Sequence, residues 1–449
     1  MHRSSSRSKS YQGALHWVLL AVATLVLAGG LALALVVGRI PIISELIDDP
    51  RFFRRALVVH VVLSLWGWFM AYAAGLRSLV DGVSDSPWRR IGRYVAVAGV
   101  VAMSVSAFIP GAQPLLVNYI PVVDHPVFVV GLAAFFLGVG LELCRPPTMR
   151  PSVERSVPAA SAITWRATAP VALVALVVFA LSFGATSRSM SGEIYYELLF
   201  WGAGHTLQVV SVLVMMGAWY YLLRDDAGRA PVGAKGALLL AGALILPWLF
   251  APLLVLGGTA DATYLRGFTR LMQFGIAGPV LVAIVLCTRF CLRRAACRAG
   301  RWAFGVSAAL TLVGFTLGAM IRGSDTMIPA HYHASLGAIT VALMALTYAF
   351  LKIPGWTPRS RWWRRFSRWQ PVVFGVGQLV FAAGFAISGL FGVDRKSYGQ
   401  EQVIDSTGAL VGLMTMGIGG LMAVAGGAGF IALIAVVCKK QFNNIRRMR

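Results

Sequence analysis

The residues best suited to chemistry in this chain are histidines, and two of them stand together. His331 and His333 lie in Asp325-Thr326-Met327-Ile328-Pro329-Ala330-His331-Tyr332-His333-Ala334-Ser335, at the mouth of an apolar run that ends near Lys352. On a helix turning about 100° per residue, side chains two apart point roughly 200° apart, onto opposite flanks. A single metal ion favours a pair at i and i+4 on one face. Two flat cofactors lying on either side of one helix favour the spacing seen here. Imidazole is the usual axial ligand of haem iron, and a bis-His site needs two rings supplied by different helices. Of the seven histidines, His2 and His16 sit near the N-terminus and five fall elsewhere: His60, His125, His205, His331 and His333. A lone histidine in an apolar helix is usually a hydrogen-bonded packing residue, but polar groups in hydrocarbon are costly and gather at functional sites.

These residues must be positioned by membrane helices. The chain is 58% hydrophobic and 13% charged, with a mean hydropathy of +0.74, far from a soluble average. Apolar runs of about 20 residues recur along it, each enough to cross a hydrocarbon core of about 30 Å. They show no period-2 alternation, so they are helices rather than barrel strands. Twelve spans are expected, near 15–38, 56–76, 93–110, 123–144, 167–186, 198–223, 235–256, 268–288, 302–321, 329–351, 371–392 and 408–437. The expected organisation is one membrane domain over 1–449: a tail at 1–13, a twelve-helix core at 15–437 and a basic tail at 438–449. The first apolar run, from about Trp17 to Val37, is too long for a signal-peptide core.

Basic residues set the expected orientation. With the N-terminus cytoplasmic, about 30 of the 40 Lys and Arg fall on cytoplasmic segments. Both termini are then inside, and the Arg-rich loops (Arg359, Arg361, Arg364, Arg365 and Arg368 are the densest) face anionic lipid. The formal net charge of +23 is thus explained by a lipid surface, with no nucleic acid among the partners. Cys144, Cys287, Cys291, Cys297 and Cys438 all fall at cytoplasmic helix ends, where disulfides are not expected. In the same topology the histidines of helices II, IV, VI and X share one depth, in the outer third of the bilayer.

A twelve-helix chain with histidine on helix II, one on VI and a His-x-His pair opening helix X resembles subunit I of the haem-copper oxidase superfamily. Asp325-Thr326-Met327-Ile328-Pro329-Ala330-His331-Tyr332-His333 is similar to that family's D-T-x(4)-A-H-x-H, one residue shorter before the first histidine. Gly392-Val393-Asp394-Arg395-Lys396 is similar to the family's G-x-P-R-R segment, with Asp394 in place of the proline and Lys396 in place of the second arginine. The resemblance implies two haems. His60 and His333 become the ligands of a low-spin bis-His haem, and His331 the ligand of a high-spin haem where a diatomic reacts. Arg395 and Lys396 become the cations that neutralise haem propionates, with Lys a looser point charge than Arg. His205, in Phe200-Trp201-Gly202-Ala203-Gly204-His205, looks like the helix VI ligand of the family's copper.

The departures bear on that copper. The family's adjacent His-His pair on helix VII is missing: Leu253 and Leu254 stand near it, and the loop Gly257 to Tyr264 has no histidine. One imidazole is too few for such a site. Asp261 is a candidate oxygen donor, more simply read as a solvated loop acid. The tyrosine four residues after the helix VI histidine in some members is Val209 here, and the glutamate of nitric oxide reductases is absent, with Gln208 the nearest polar group. Ionisable groups able to deliver protons are few, Glu142 being the most prominent, so strong pumping is not expected. His125, between Asp124 and Pro126, is expected to cap helix IV or to bond a propionate.

The reading is therefore an all-α polytopic membrane protein with a subunit I-like bundle, a di-haem respiratory oxidoreductase reducing O2 at the His331 haem. Nitric oxide reduction or dismutation is the first alternative, and a non-catalytic di-haem electron carrier or gas sensor the second; a twelve-helix transporter would leave the histidine pattern to coincidence. There is no C-x-x-C-H motif for covalent haem and no dicopper domain. Electrons are expected from a cytochrome c or cupredoxin-like partner at the outer face, or from quinol, with the protein in a bacterial inner membrane.

Overall fold

The computed structural model describes residues 2–37, 49, 51–81, 86–145, 157–294, 298–353, 355–358, 360–395 and 406–448. Nearly all of it is helix, because a chain in hydrocarbon must satisfy every backbone N–H and C=O internally. Eleven of the described helical segments are long and apolar enough to span a membrane. The expected span at 93–110 is observed as Pro87–Ser106. Arg89, Arg90 and Arg93 crowd its first turns, so its composition does not mark it as a span and the count of twelve is not reached on that ground.

The helices sort into two compact units, one of residues 1–217 with 232–283 and the other of 218–231 with 284–449. The first begins with α1 (His2–Val37). Helix II, expected as a continuous helix, is α2 (Phe52–Val62), a π-helical turn at Leu63–Gly67 and α3 (Trp68–Asp81). Next comes α4 (Pro87–Ser106), whose Pro87 stands at the first turn, where its missing N–H costs nothing, and whose N-cap Ser86 accepts from the Arg89 N–H. A short hairpin pairs β1 (Gln113–Leu115) with β2 (Val122–Asp124), and α5 (Pro126–Leu143) follows. Then come α6 (Ala159–Arg166), α7 (Thr168–Ala185) and α8 (Gly192–Leu222).

Helices α4 and α5 pack by close approach of backbones. A methyl group on Gly99 would lie 2.5 Å from the Gly131 carbonyl, and one on Gly138 would lie 2.3 Å from the Gly92 carbonyl. With lipid as apolar as leucine, such small-residue contacts are what bring membrane helices together.

The expected helix VII starts as α9 (Ala234–Ile245) and tightens into a 3₁₀ segment at Leu246–Val255. Pro247 and Pro252 each remove a backbone donor there, which prevents a regular α-helix. After it come α10 (Ala262–Gly275) and α11 (Ala277–Arg293), the latter passing into the second unit at Ile284. The second unit continues with α12 (Arg298–Met320), α13 (Met327–Lys352), α14 (Arg361–Leu390) and α15 (Thr407–Met448). The four described cysteines, Cys144, Cys287, Cys291 and Cys438, are free thiols, and Cys297 lies outside the described residues.

Candidate haem-ligand site

In the second unit the two histidines that open α13 leave it on different sides. His331 turns towards α12, where its Nδ1 lies 2.7 Å from the Gly314 carbonyl. A carbonyl only accepts, so Nδ1–H donates and the lone pair stays on Nε2. Gly318 makes room for the ring, since an added Cβ there would sit 2.8 Å from His331 Nδ1. His333 turns towards α14. Its Nδ1 is 3.3 Å from Gln378 Oε1, and its ring packs edge-on to Phe381 at 4.5 Å and parallel to Phe385 at 5.5 Å. The opposite flanks anticipated from the spacing are thus distinct packing environments.

The start of α13 is held by the second expected motif. The Thr326 N–H donates to the Val393 carbonyl at 3.0 Å, and Asp325 and Asp394 form an antiparallel bridge. The Thr326 hydroxyl donates to the Phe385 carbonyl at 2.9 Å, and Gly389 leaves the space its neighbours fill. Gly392, at φ 76°, makes the turn that brings Val393 back. Two sequence segments more than 60 residues apart are therefore one structural feature, with Arg395 half-buried beside it. Lys396 lies outside the described residues.

In the first unit His60 sits on α2, just before the π-helical turn, with Nδ1 2.8 Å from the Ala28 carbonyl of α1. Single π turns inside α-helices concentrate at functional sites. As at His331, the backbone acceptor fixes the tautomer with its lone pair on Nε2. This outer-shell anchoring is what ligating imidazoles require.

His205 on α8 is different. Its Nδ1–H donates to the Trp201 carbonyl at 2.6 Å, and its Nε2 is 2.7 Å from the Tyr119 hydroxyl. With Nδ1 carrying the ring proton, Nε2 accepts from the phenol, and both nitrogens are engaged. The residue is 2% exposed, so the lone pair that a metal would need is already used.

Tyr119 is built into place. It lies in the turn of the β1–β2 hairpin with φ 63°, a conformation that a bulky residue adopts only under constraint and at a cost on the order of 1–3 kcal/mol. The constraint is visible. Trp66 Nε1–H donates to the Tyr119 carbonyl at 2.6 Å, and Glu197 accepts from both the backbone and the amide nitrogen of Asn118 at 2.6 Å. The ring lies 4.2 Å from that of His205 and edge-on to Trp201, over Gly204, where a Cβ would come within 2.6 Å of Tyr119. Tyr119→Phe is expected to leave Nε2 buried without a donor and to lower stability by about 1–2 kcal/mol. Thermal unfolding in detergent measures this, and a change under about 0.3 kcal/mol would mean that the hydroxyl bond is not made.

Among the described residues, those expected near the copper position do not complete a copper site with His205. Leu253 is exposed at 60% on the 3₁₀ segment. Asp261 caps α10 by accepting from the Thr263 N–H at 2.6 Å, so it is a cap rather than a metal donor. Thr263, through side chain and backbone, holds its carboxyl below the usual carboxylate range. Among the described residues no three His, Cys, Asp or Glu converge. The donor set fits haem iron at His60 and His331, and does not fit copper at His205.

His125 caps α5, its Nδ1 accepting from the Val127 N–H at 3.2 Å, which is one of its two expected roles. Glu142, noted as a proton-pathway candidate, is instead paired with Arg89 at 2.7 Å and Arg145 at 2.9 Å. Tyr119 itself was not anticipated. Its partner is 86 residues away, and no helical spacing links a hairpin turn to a helix.

Comparison with known proteins follows the same lines. The sequence profile of the family described as cytochrome c and quinol oxidase polypeptide I matches residues 13–423. An uncharacterized protein of Aquifex aeolicus is 26% identical over 80% of this chain and 89% of its own length. One of Rickettsia prowazekii is 25% identical over 100% and 99%. A solved haem-copper terminal oxidase dimer shares the fold with a TM-score of 0.71, at 15% identity, over 95% of this chain and 84% of that one.

Proposed function

Since the chain belongs to the family of cytochrome c and quinol oxidase polypeptide I, we propose that it is the haem-bearing subunit of a respiratory oxidoreductase that reduces a diatomic gas, O2, without a second metal. His331 holds the high-spin haem, and His60 and His333 take the low-spin ligand roles. Arg395 and Lys396 neutralise propionates. Bound haem supplies one-electron transfer and an open coordination position for a gas. The observation that carries the reading is the anchoring of His60 and His331: each Nδ1–H is donated to a backbone carbonyl, at 2.8 and 2.7 Å, which presents Nε2 as a ligand.

The chain's own groups do the remaining work. The Gly314 and Ala28 carbonyls fix ring orientation and raise ligand basicity. The Tyr119 phenol O–H donates to Nε2 of His205, whose own Nδ1–H donates to the Trp201 carbonyl, so both nitrogens of this buried imidazole are occupied by protein groups. Nitric oxide chemistry is the second reading, favoured by that same engagement of His205, because coupling two NO molecules does not demand the four-electron cleavage of O2. Electrons come from a cytochrome c or cupredoxin-like partner at the outer face, or from quinol. The protein sits in a bacterial inner membrane with both termini cytoplasmic.

Metal and haem analysis of purified protein from copper-replete cells tests this. Two haems per chain without stoichiometric copper are expected, with gas consumption followed separately for O2 and NO. Stoichiometric copper removed by His205→Ala would overturn the metal-free assignment, and absence of haem would overturn the whole reading. Consumption of NO alone would select the second reading. Gas binding with no turnover of either would make the protein a carrier or sensor.

A further inference from the structure

An open cleft in the first unit has no part in haem binding. It lies between the 3₁₀ segment at Leu246–Val255 and α10, and its volume is about 340 Å³. Apolar clefts of this size with a few placed polar groups are the usual form of a small-ligand site. Residues of little bulk shape it. Gly267 lets Leu254 come against α10, since an added Cβ there would lie 2.7 Å from Leu254. Phe250 stands on one wall and Phe274 on the other, 60% and 79% exposed.

Two polar groups meet this apolar space. The first is a donor without an acceptor. Trp248 is 0% exposed, and its Nε1–H has no hydrogen-bond partner among the described residues. A Cβ added to Gly275 would lie 3.3 Å from that nitrogen and 3.7 Å from Pro247, so the indole N–H fronts the gap that the glycine leaves. Pro247 and Gly275 both line the cleft. Buried donors normally find an acceptor, and an unmet one is costly.

The second is Arg270, an exposed lining residue that precedes Gly275 on α10 and so lies nearer the turn at 256–261. It marks a membrane boundary. Residues 271–288 carry no charge, and as helix they rise about 27 Å, close to the thickness of a hydrocarbon core.

We propose that the cleft holds one anionic phospholipid, with its phosphate on Arg270, an ester carbonyl accepting from Trp248 Nε1–H, and an acyl chain between Phe250 and Phe274. The order of groups carries the choice of occupant. A phospholipid presents phosphate, then ester carbonyl, then hydrocarbon on going into the bilayer. The cleft presents a guanidinium at the boundary, then an indole donor deeper in, within apolar walls. At that depth ester carbonyls are the acceptors a bilayer supplies. The guanidinium fork suits phosphate, and its charge favours an anionic headgroup. The proposal does not depend on the haem assignment.

Native mass spectrometry of delipidated full-length protein, titrated with phosphatidylglycerol or phosphatidylcholine, tests it. The tightest site of the wild type is expected to favour phosphatidylglycerol by about fivefold, the contribution of one basic residue facing anionic lipid. Arg270→Gln is expected to bring the two lipids within about twofold, while Arg289→Gln, at the far end of the same uncharged run, leaves the preference intact. Trp248→Phe keeps an aromatic ring, removes the N–H and is expected to weaken both lipids several-fold alike. A preference that survives Arg270→Gln, or affinities unchanged in Trp248→Phe, would overturn the proposal. If these variants fail to fold, photolysis of the wild type with a phosphatidylglycerol carrying a diazirine on its acyl chain decides. Label on 247–254 and 267–275 supports the site, and label confined elsewhere overturns it. Wild-type protein without a lipid preference would also overturn it, and a dimer that Phe274→Ala separates would then assign this face to a second copy of the chain.

Discussion

Replacing His331 with alanine is expected to abolish gas binding while the low-spin haem spectrum survives. The physical case rests on how specifically the ring is placed. It is fixed by one hydrogen bond to Gly314 and by the space at Gly318. Its neighbour His333 occupies the other flank of α13, against Gln378, Phe381 and Phe385, and cannot substitute without leaving that packing. Loss of an outer-shell partner alone costs roughly 10–100-fold in ligand affinity, so loss of the ligand should cost more than about hundredfold. Carbon monoxide difference spectra of the variant measure this, and the retained low-spin bands report that the bundle has folded. Gas binding that persisted while the low-spin bands vanished would reverse the assignment of the two histidines.

The complementary change, His60→Ala, should erase the low-spin spectrum and spare gas binding at the other haem. Turnover with an artificial donor is expected to fall by more than about hundredfold by the same reasoning, because an electron route through the low-spin haem is gone. A secondary cost on the order of 1 kcal/mol is expected from the Ala28 carbonyl, which loses its donor next to a π-helical turn. Redox titration distinguishes the cases: one haem transition should remain where the wild type shows two. If both transitions survived in His60→Ala, the ligand would have to be sought elsewhere in the first unit.

Tyr119→Phe is expected to be milder than either histidine variant. It perturbs a buried polar pair on the His205 side while every assigned haem ligand remains intact.

Much of this was legible from the amino acids. Composition alone decided the solvent, and the solvent decided helices, because a chain in hydrocarbon must satisfy its backbone internally. The two-residue spacing of His331 and His333 decided that their rings leave α13 on different flanks, since helical geometry is local. The similarity of Asp325–His333 and Gly392–Lys396 to family motifs was local as well.

What the sequence could not decide were matters of contact between distant segments. That Thr326 and Val393 join the two motifs, that Gly314 orients His331, and that Arg77, Arg89 and Glu142 form one buried network depend on which helices pack together. Periodicity is silent on that. The tightening of the expected helix VII into a 3₁₀ segment was within reach, signalled by Pro247 and Pro252. Tyr119 was not. Its hydroxyl reaches His205 through a hairpin turn, a positive φ and a clamp from Trp66 and Glu197, none of which leaves a periodic mark. The sequence thus determined that histidines at defined positions are available to hold haem. Only the tertiary structure decided that His205 has both nitrogens engaged, because hydrogen-bond saturation is a property of neighbours and not of spacing.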